Sequence, residues 1–236
     1  GDMQKFDFFS ASTVEDGLDY LFERQEQCRV IAGGTDLIPL LRTQETCPDH
    51  VLDILNVEAL KGIAEDGDRI RIGPTTTFTE IMGSDLLQRT VPLLVQAASS
   101  VGAPQIRNRG TVGGNIATAS PAADVLPALM ALGAILEVRS RTSGARLLPL
   151  TEAMEVPYAT RLRPDELITG VFVQKPLPGT CGAFEKLGRR RALARARMNM
   201  TVILRKDEDG RVAETRIVPG AVMPVARRMK EAESIL

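Results

Sequence analysis

Val30-Ile31-Ala32-Gly33-Gly34-Thr35-Asp36-Leu37 is an apolar run that stops at two adjacent glycines and a Thr-Asp pair before a second apolar run begins. It reads as a strand-to-helix turn able to hold an anion. Two glycines remove both Cβ atoms, so the backbone can take positive φ and its N–H groups can come close to a ligand. Thr35 and Asp36 are good helix-start residues, and a helix N-terminus offers unpaired N–H donors and the positive end of a dipole. The Rossmann spacing G-x-G-x-x-G is absent, and an ordinary turn could carry the same residues, so the stretch needs support from elsewhere in the chain.

Its flanks are the first support. Val14, Leu18, Leu21 and Phe22 recur at helical spacing through Gln25, with Ser12 and Glu15 placed as a capping box. Cys28 to Ala32 reads as a strand, Leu37 to Leu41 as a short helix that tolerates Pro39 in its first turn, and Val51 to Leu55 as a second strand. Strand, helix and strand over so short a span predict a small parallel βαβ unit ending near Asn56.

From Val57 the texture changes. Arg69-Ile70-Arg71-Ile72 alternates with period two between Gly67 and Gly73-Pro74, the pattern of an antiparallel strand. Helices are predicted over 77–82 and 85–100, the second carrying Pro92 as a possible kink. The stretch 104–124 is too polar and glycine-punctuated to be one regular element. A helix is then expected at 125–132 and strands at 135–139, 146–150 and 166–173. Pro176-Leu177-Pro178-Gly179 reads as a linker to a last unit with strands at 184–187, 200–205 and 211–218 and a helix from Arg227. That helix stops so near Leu236 that the last unit is expected to be truncated, and Gly1-Asp2 before Met3 is set aside as a remnant of expression.

Composition narrows the function. The chain has 236 residues, 44% of them hydrophobic, enough for a sizeable core, and a formal net charge of -1. No apolar run approaches the ~20 residues of a membrane span, and no signal-peptide pattern is seen, so a cytoplasmic protein without membrane contact is expected. With Trp absent and aromatics at 4%, a nucleic-acid partner is not expected. Cys28, Cys47 and Cys181 are far apart, which supports neither a disulfide framework nor a metal site, and His50 is the only histidine. Redox or group-transfer chemistry here would need a cofactor.

A second turn, Gly110-Thr111-Val112-Gly113-Gly114-Asn115, lies about 80 residues beyond the first and pairs its glycines with a hydroxyl and a short polar side chain in the same way. Two such turns could grip one diphosphate from both sides, since desolvating its charges takes several N–H and O–H donors. Two independent structural turns are the other possibility. Asp124, opening the next helix, is either an N-cap or a carboxylate accepting from ribose hydroxyls. Arg107, Arg109 and the run Arg189, Arg190, Arg191, Arg195 and Arg197 read either as solvated surface or as a face for a partner or an acidic cofactor.

Three stretches carry a resemblance: AGGTDL at 32–37, QIRNRGTVGGNIATASPAAD at 105–124 and AFEKLGRRRALARA at 183–196. Together they resemble the FAD-binding subunit of the molybdenum hydroxylase family, which includes xanthine dehydrogenase and the medium subunit of carbon monoxide dehydrogenase, and the likeness spans essentially the whole chain. It implies an α+β protein with the vanillyl-alcohol-oxidase-type (PCMH) FAD-binding fold: a small N-terminal α/β subdomain (3–56), a larger α+β subdomain (57–175) and a C-terminal α+β domain (179–236). By the same resemblance Ala32, Gly33, Gly34, Thr35, Asp36 and Leu37 would wrap the FAD pyrophosphate, with Thr111, Gly114 and Asn115 on its other side. Asp124 would hold the adenosine part, Leu167 and Ile168 would pack near the isoalloxazine ring, and Lys186 would lie close to it. The implied role is an oxidoreductase subunit passing electrons from an iron-sulfur subunit through FAD to NAD or another acceptor, with molybdopterin and iron-sulfur clusters on partner subunits. The alternatives are a stand-alone flavin reductase like the cell-wall enolpyruvyl-sugar reductase, and a docking subunit with a vestigial flavin site.

Overall fold

The computed structural model describes residues 5–188 and 196–236. Arg189, Arg190, Arg191 and Arg195, and the side chain of Arg197, lie outside the described residues, so the face expected of that run is not placed. The first unit contains β1 (Asp7–Ser10), α1 (Val14–Arg24), β2 (Cys28–Ile31), α2 (Leu37–Arg42) and β3 (His50–Asp53). Its three strands are parallel in the order β1-β3-β2, which includes the expected βαβ unit. β1 was not expected: Asp7-Phe8-Phe9-Ser10 has no alternation, all four residues are exposed, and the strand exists only because the edge of β3 accepts it. The cap of α1 lies one residue beyond the expected Ser12–Glu15 pair. Thr13 Oγ1 accepts from the Asp16 N–H at 3.1 Å, while the Asp16 carboxylate accepts from both the Thr13 and Ser12 N–H groups, two donors where a Glu15 box would satisfy one.

The second unit runs through β4 (Ile63–Asp66), β5 (Arg69–Ile72), α3 (Phe78–Met82), α4 (Asp85–Thr90), α5 (Pro92–Ser99), α6 (Pro104–Arg107), α7 (Val112–Thr118), α8 (Val125–Ala131), β6 (Ile135–Ser140), β7 (Gly144–Pro149), α9 (Leu150–Ala153), β8 (Met154–Val156), β9 (Ala159–Thr160) and β10 (Leu167–Gln174). Its main sheet is antiparallel, ordered β4-β5-β10-β6-β7, and β10 is buried at seven of its eight positions. The helix expected over 85–100 is two helices. Pro92 opens α5, and Val91 before it leaves helical geometry at φ -137° and ψ 57°, because a proline ring disfavours the α region for its predecessor. Leu94, Val112, Ile116, Leu129, Leu136 and Val171 are fully buried between these helices and the sheet.

The third sheet, β11 (Thr180–Gly188), β12 (Ala196–Lys206) and β13 (Val212–Gly220), is an antiparallel meander followed by α10 (Lys230–Glu233). Pro176 to Gly179 does connect two sheets, but it does not separate two cores. Phe184, Ile203 and Val218 join the hydrophobic core of the second unit. The first core is likewise not confined to 3–56: Val57, Leu60 and Leu167 belong to it. Ion pairs from Arg139 to Glu15 (3.3 Å) and from Arg141 to Asp19 (3.2 Å) tie α1 to the strand-turn after β6. No helix among the described residues is long and apolar enough to cross a membrane.

The entry to β10 is fixed by charge. The side chain of Glu166 is 1% exposed and takes two bonds from Arg146, at 2.7 and 2.9 Å, and one from the Arg163 backbone N–H at 2.8 Å. Burial pushes its carboxyl up, but the Arg146 guanidinium and the Arg163 N–H and charge outweigh burial and hold it below the ordinary value. A lowered folded-state value means that the stabilisation is present above the ordinary glutamate value of about 4.3 and is lost as pH falls through the lowered one. Glu166→Gln is therefore expected to cost about 1–3 kcal/mol at pH 7. Urea unfolding at falling pH should show the gap between the two proteins closing below about pH 4.

Candidate functional site

The two glycine turns meet. Ala32 to Leu37 leave β2 and enter α2, and Gly34 takes φ +74°, a conformation that strains other residues. Gly33 is buried, and a Cβ on it would run into the Arg109 carbonyl and lie 3.2 Å from Gly110 N. The absence of a Cβ at Gly33 lets one turn touch the backbone of the other. Asp36 occupies the position before α2 but makes no side-chain cap bond. Its carboxylate instead accepts from Thr118 Oγ1, at 3.4 Å, at the far end of α7.

The second turn hangs on the segment Gly73-Pro74-Thr75-Thr76-Thr77-Phe78, read from the sequence only as the end of one strand and the start of a helix. Gly113 N donates to Pro74 O at 2.8 Å, Val112 N to Thr76 O at 3.0 Å, and Phe78 N to Gly110 O at 3.1 Å. Gly113 lies so close to Pro74 that a Cβ would stand 2.6 Å from its ring. Thr75 and Thr76 are themselves anchored, their hydroxyls donating to Leu60 O and Gly62 O. Thr111 caps α7, its Oγ1 accepting from Gly114 N–H at 3.1 Å. Gly114 differs from Gly33 and Gly113: a Cβ there would meet only that threonine oxygen. Asn115 carries a buried side-chain oxygen with no hydrogen-bond partner.

A second cluster lies at the start of α8. Asp124, 7% exposed, makes no side-chain cap bond. Its carboxylate receives Lys186 Nζ at 2.7 Å and Asn199 Nδ2 at 3.2 Å, and Lys186 Nζ also donates to Ser100 O at 2.9 Å. Lys186 and Asn199 face each other across β11 and β12, so one strand pair presents both donors. Burial pushes the Asp124 carboxyl above its ordinary range, an effect that Lys186 and Asn199 only partly offset. The resemblance assigned Asp124 and Lys186 to opposite ends of FAD; the structure joins them in one ion pair. Asn199 was not singled out in the sequence, because nothing local marks a strand asparagine whose partner lies 75 residues away.

Leu167 and Ile168 brace the region rather than lie open. Leu167 belongs to the core of the first unit and Ile168 to that of the second. Arg107 donates to the carbonyls of Val101 and Gly102, at 3.0 and 2.9 Å, holding the loop that follows α5.

FAD would be held by residues of this chemistry. Its diphosphate needs close backbone approach and hydroxyl donors; the paired turns supply the positive-φ Gly34, the Thr35 hydroxyl and, at Gly114, a backbone with no side chain. The Asp124–Lys186 pair can be tested separately. Lys186→Met leaves a buried carboxylate without its cation and is expected to cost about 2–4 kcal/mol. A thermal melt would check this, and adding Asp124→Asn in the same chain should recover part of the loss.

Residues 4–176 match the family model described as the FAD binding domain in molybdopterin dehydrogenase. The nicotine 6-hydroxylase medium subunit of Paenarthrobacter nicotinovorans is 33% identical over 230 residues, 97% of this chain and 79% of that protein. The xanthine dehydrogenase FAD-binding subunit of Escherichia coli is 34% identical over 234 residues, covering 97% of this chain and 79% of its own length. Among solved structures, a carbon monoxide dehydrogenase from Hydrogenophaga pseudoflava superposes with a TM-score of 0.95 at 30% identity, over 100% of this chain and 81% of that one.

Proposed function

Because the chain belongs to the family of FAD-binding domains in molybdopterin dehydrogenases, we propose that it is the flavin-bearing electron-transfer subunit of a molybdenum hydroxylase complex. In this reading it stands between an iron-sulfur subunit and a final acceptor, NAD or another. The family makes the chain an oxidoreductase flavoprotein subunit with the α+β fold of this FAD-binding class. The observation that carries the finer reading is the meeting of the two glycine turns at Gly33 and the Arg109–Gly110 peptide.

The turns divide the work. Gly34 and Thr35 stand on the first unit and Gly114 and Asn115 on the second, so a diphosphate between them would lie against both, although the Gly114 and Asn115 backbone N–H groups are already bonded to Thr111. Asp124 and Lys186 stand as a pre-formed pair for another portion of the cofactor. Bound FAD would supply an acceptor that takes electrons singly and releases them as a pair, which no side chain can do. Three cysteines are too few for a cluster held by four cysteines of this chain, so the electrons are proposed to come from a partner. A molybdenum subunit carrying the organic substrate's pocket completes the proposed assembly, with no nucleic acid or membrane involved and the cytoplasm as the proposed compartment.

The direct test is the absorption spectrum of the purified chain with FAD added. Flavin bands that persist through gel filtration are expected. Gly114→Val puts a side chain into the cradle and is expected to weaken FAD retention by roughly tenfold or more while far-ultraviolet circular dichroism is unchanged. Equal flavin content in variant and parent would remove Gly114 from the site.

A further inference from the structure

The cradle has no cation of its own. The stretches 32–37 and 110–124 contain neither Lys nor Arg, and their only charged residues are Asp36 and Asp124. Asp124 is already matched by Lys186 at 2.7 Å. Asp36 adds a negative charge beside the first turn, and among the described residues its carboxylate is held by the hydroxyl of Thr118 alone. A diphosphate brought here would meet a carboxylate, and the N–H and O–H dipoles of the turns would have to offset both.

The arginine whose backbone meets the first turn is Arg109. Its carbonyl fills the space where a Gly33 Cβ would stand, so its backbone is in contact with the first turn, and Gly110 and Thr111 follow it directly into the second. In the segment Arg107-Asn108-Arg109 the other two side chains are engaged. Arg107 donates to the carbonyls of Val101 and Gly102, and Asn108 Oδ1 accepts from Thr79 Oγ1 at 2.6 Å. The side chain of Arg109 is exposed and makes no ion pair or hydrogen bond among the described residues.

The geometry points to Arg109 as the residue that neutralises the diphosphate of the bound dinucleotide, positioned at the seam where the two glycine turns touch. This rests on the reading of the turns as an FAD cradle and adds to it the missing positive charge. A guanidinium suits the task because its planar fork donates two N–H groups to one phosphate and keeps its charge at any working pH.

The test uses the full chain stripped of flavin and titrated with FAD, ADP and adenosine, with Arg109→Gln and Arg109→Lys alongside the parent. ADP carries the diphosphate and adenosine does not, so the ratio of their affinities reports the anion site. The parent is expected to favour ADP by roughly tenfold or more. Arg109→Gln should bring that ratio close to one, and Arg109→Lys should keep part of it. Salt should weaken ADP binding more steeply in the parent than in Arg109→Gln. An unchanged ratio in Arg109→Gln overturns the assignment while leaving the cradle standing. An unchanged ratio with impaired co-purification of partner subunits overturns it in favour of a docking role. Failure of the parent to bind FAD or ADP overturns the cradle and Arg109 together. Since the exposed Arg109 side chain makes no hydrogen bond or ion pair among the described residues, the melting temperature of Arg109→Gln serves as a control and is expected to stay within the range of an ordinary surface substitution.

Discussion

The structure depends on one backbone contact, in which Gly33 of the first unit lies against the Arg109–Gly110 peptide of the second. Only a residue without a Cβ allows two chains to approach so closely, because any side chain would occupy the place of a carbonyl oxygen. The contact brings two loops that lie about 75 residues apart in sequence against each other. It also explains why each loop is held so firmly behind: the second is hydrogen-bonded to the 73–78 segment at three successive points, and that segment is anchored in turn by Thr75 and Thr76. In the proposed cradle, walls held in place in advance would spend less ligand-binding energy on ordering.

The same seam is supported by packing on a larger scale. β10 contributes Leu167 to the first core and Ile168 to the second, so the strand that runs through the main sheet also joins the two units. The buried Glu166, bonded to Arg146 and Arg163, fixes where that strand begins. On the other side, Asp124 binds the start of α8 to the third sheet through Lys186 and Asn199. The three units are therefore not beads on a chain. They share hydrophobic surface and meet in ion pairs, so a change at one wall of the cradle is felt through the contacts of another.

Local pattern made much of this legible. The βαβ unit came from apolar runs broken by Gly-Gly, β5 from the alternation of Arg69 to Ile72, and α3 and α8 from helical spacing. Misreadings occurred where an element depends on a distant partner. β1 has no pattern of its own and forms on the edge of β3, and the sequence reading passed over β4, which completes a hairpin with β5 around Gly67. The split of α4 from α5 was signalled by Pro92, but a kink and a break look alike in sequence until the geometry of Val91 is known.

For the site, the sequence alone determined the two glycine motifs, the family they belong to and the kind of ligand their chemistry suits, because turn residues and N–H donors are properties of short segments. Tertiary structure decided what each residue does within the motif. It set Gly33 against the Arg109–Gly110 peptide and bonded the Gly114 N–H to Thr111. It turned Asp36 towards Thr118 and joined Asp124 to Lys186. Asn199 meets Asp124, and Pro74 and Thr76 meet the second turn, only through folding. The physical reason is that a hydrogen bond or a close backbone approach depends on the distance between atoms, and residues 33 and 109, or 124 and 199, have no distance fixed between them until the chain is folded.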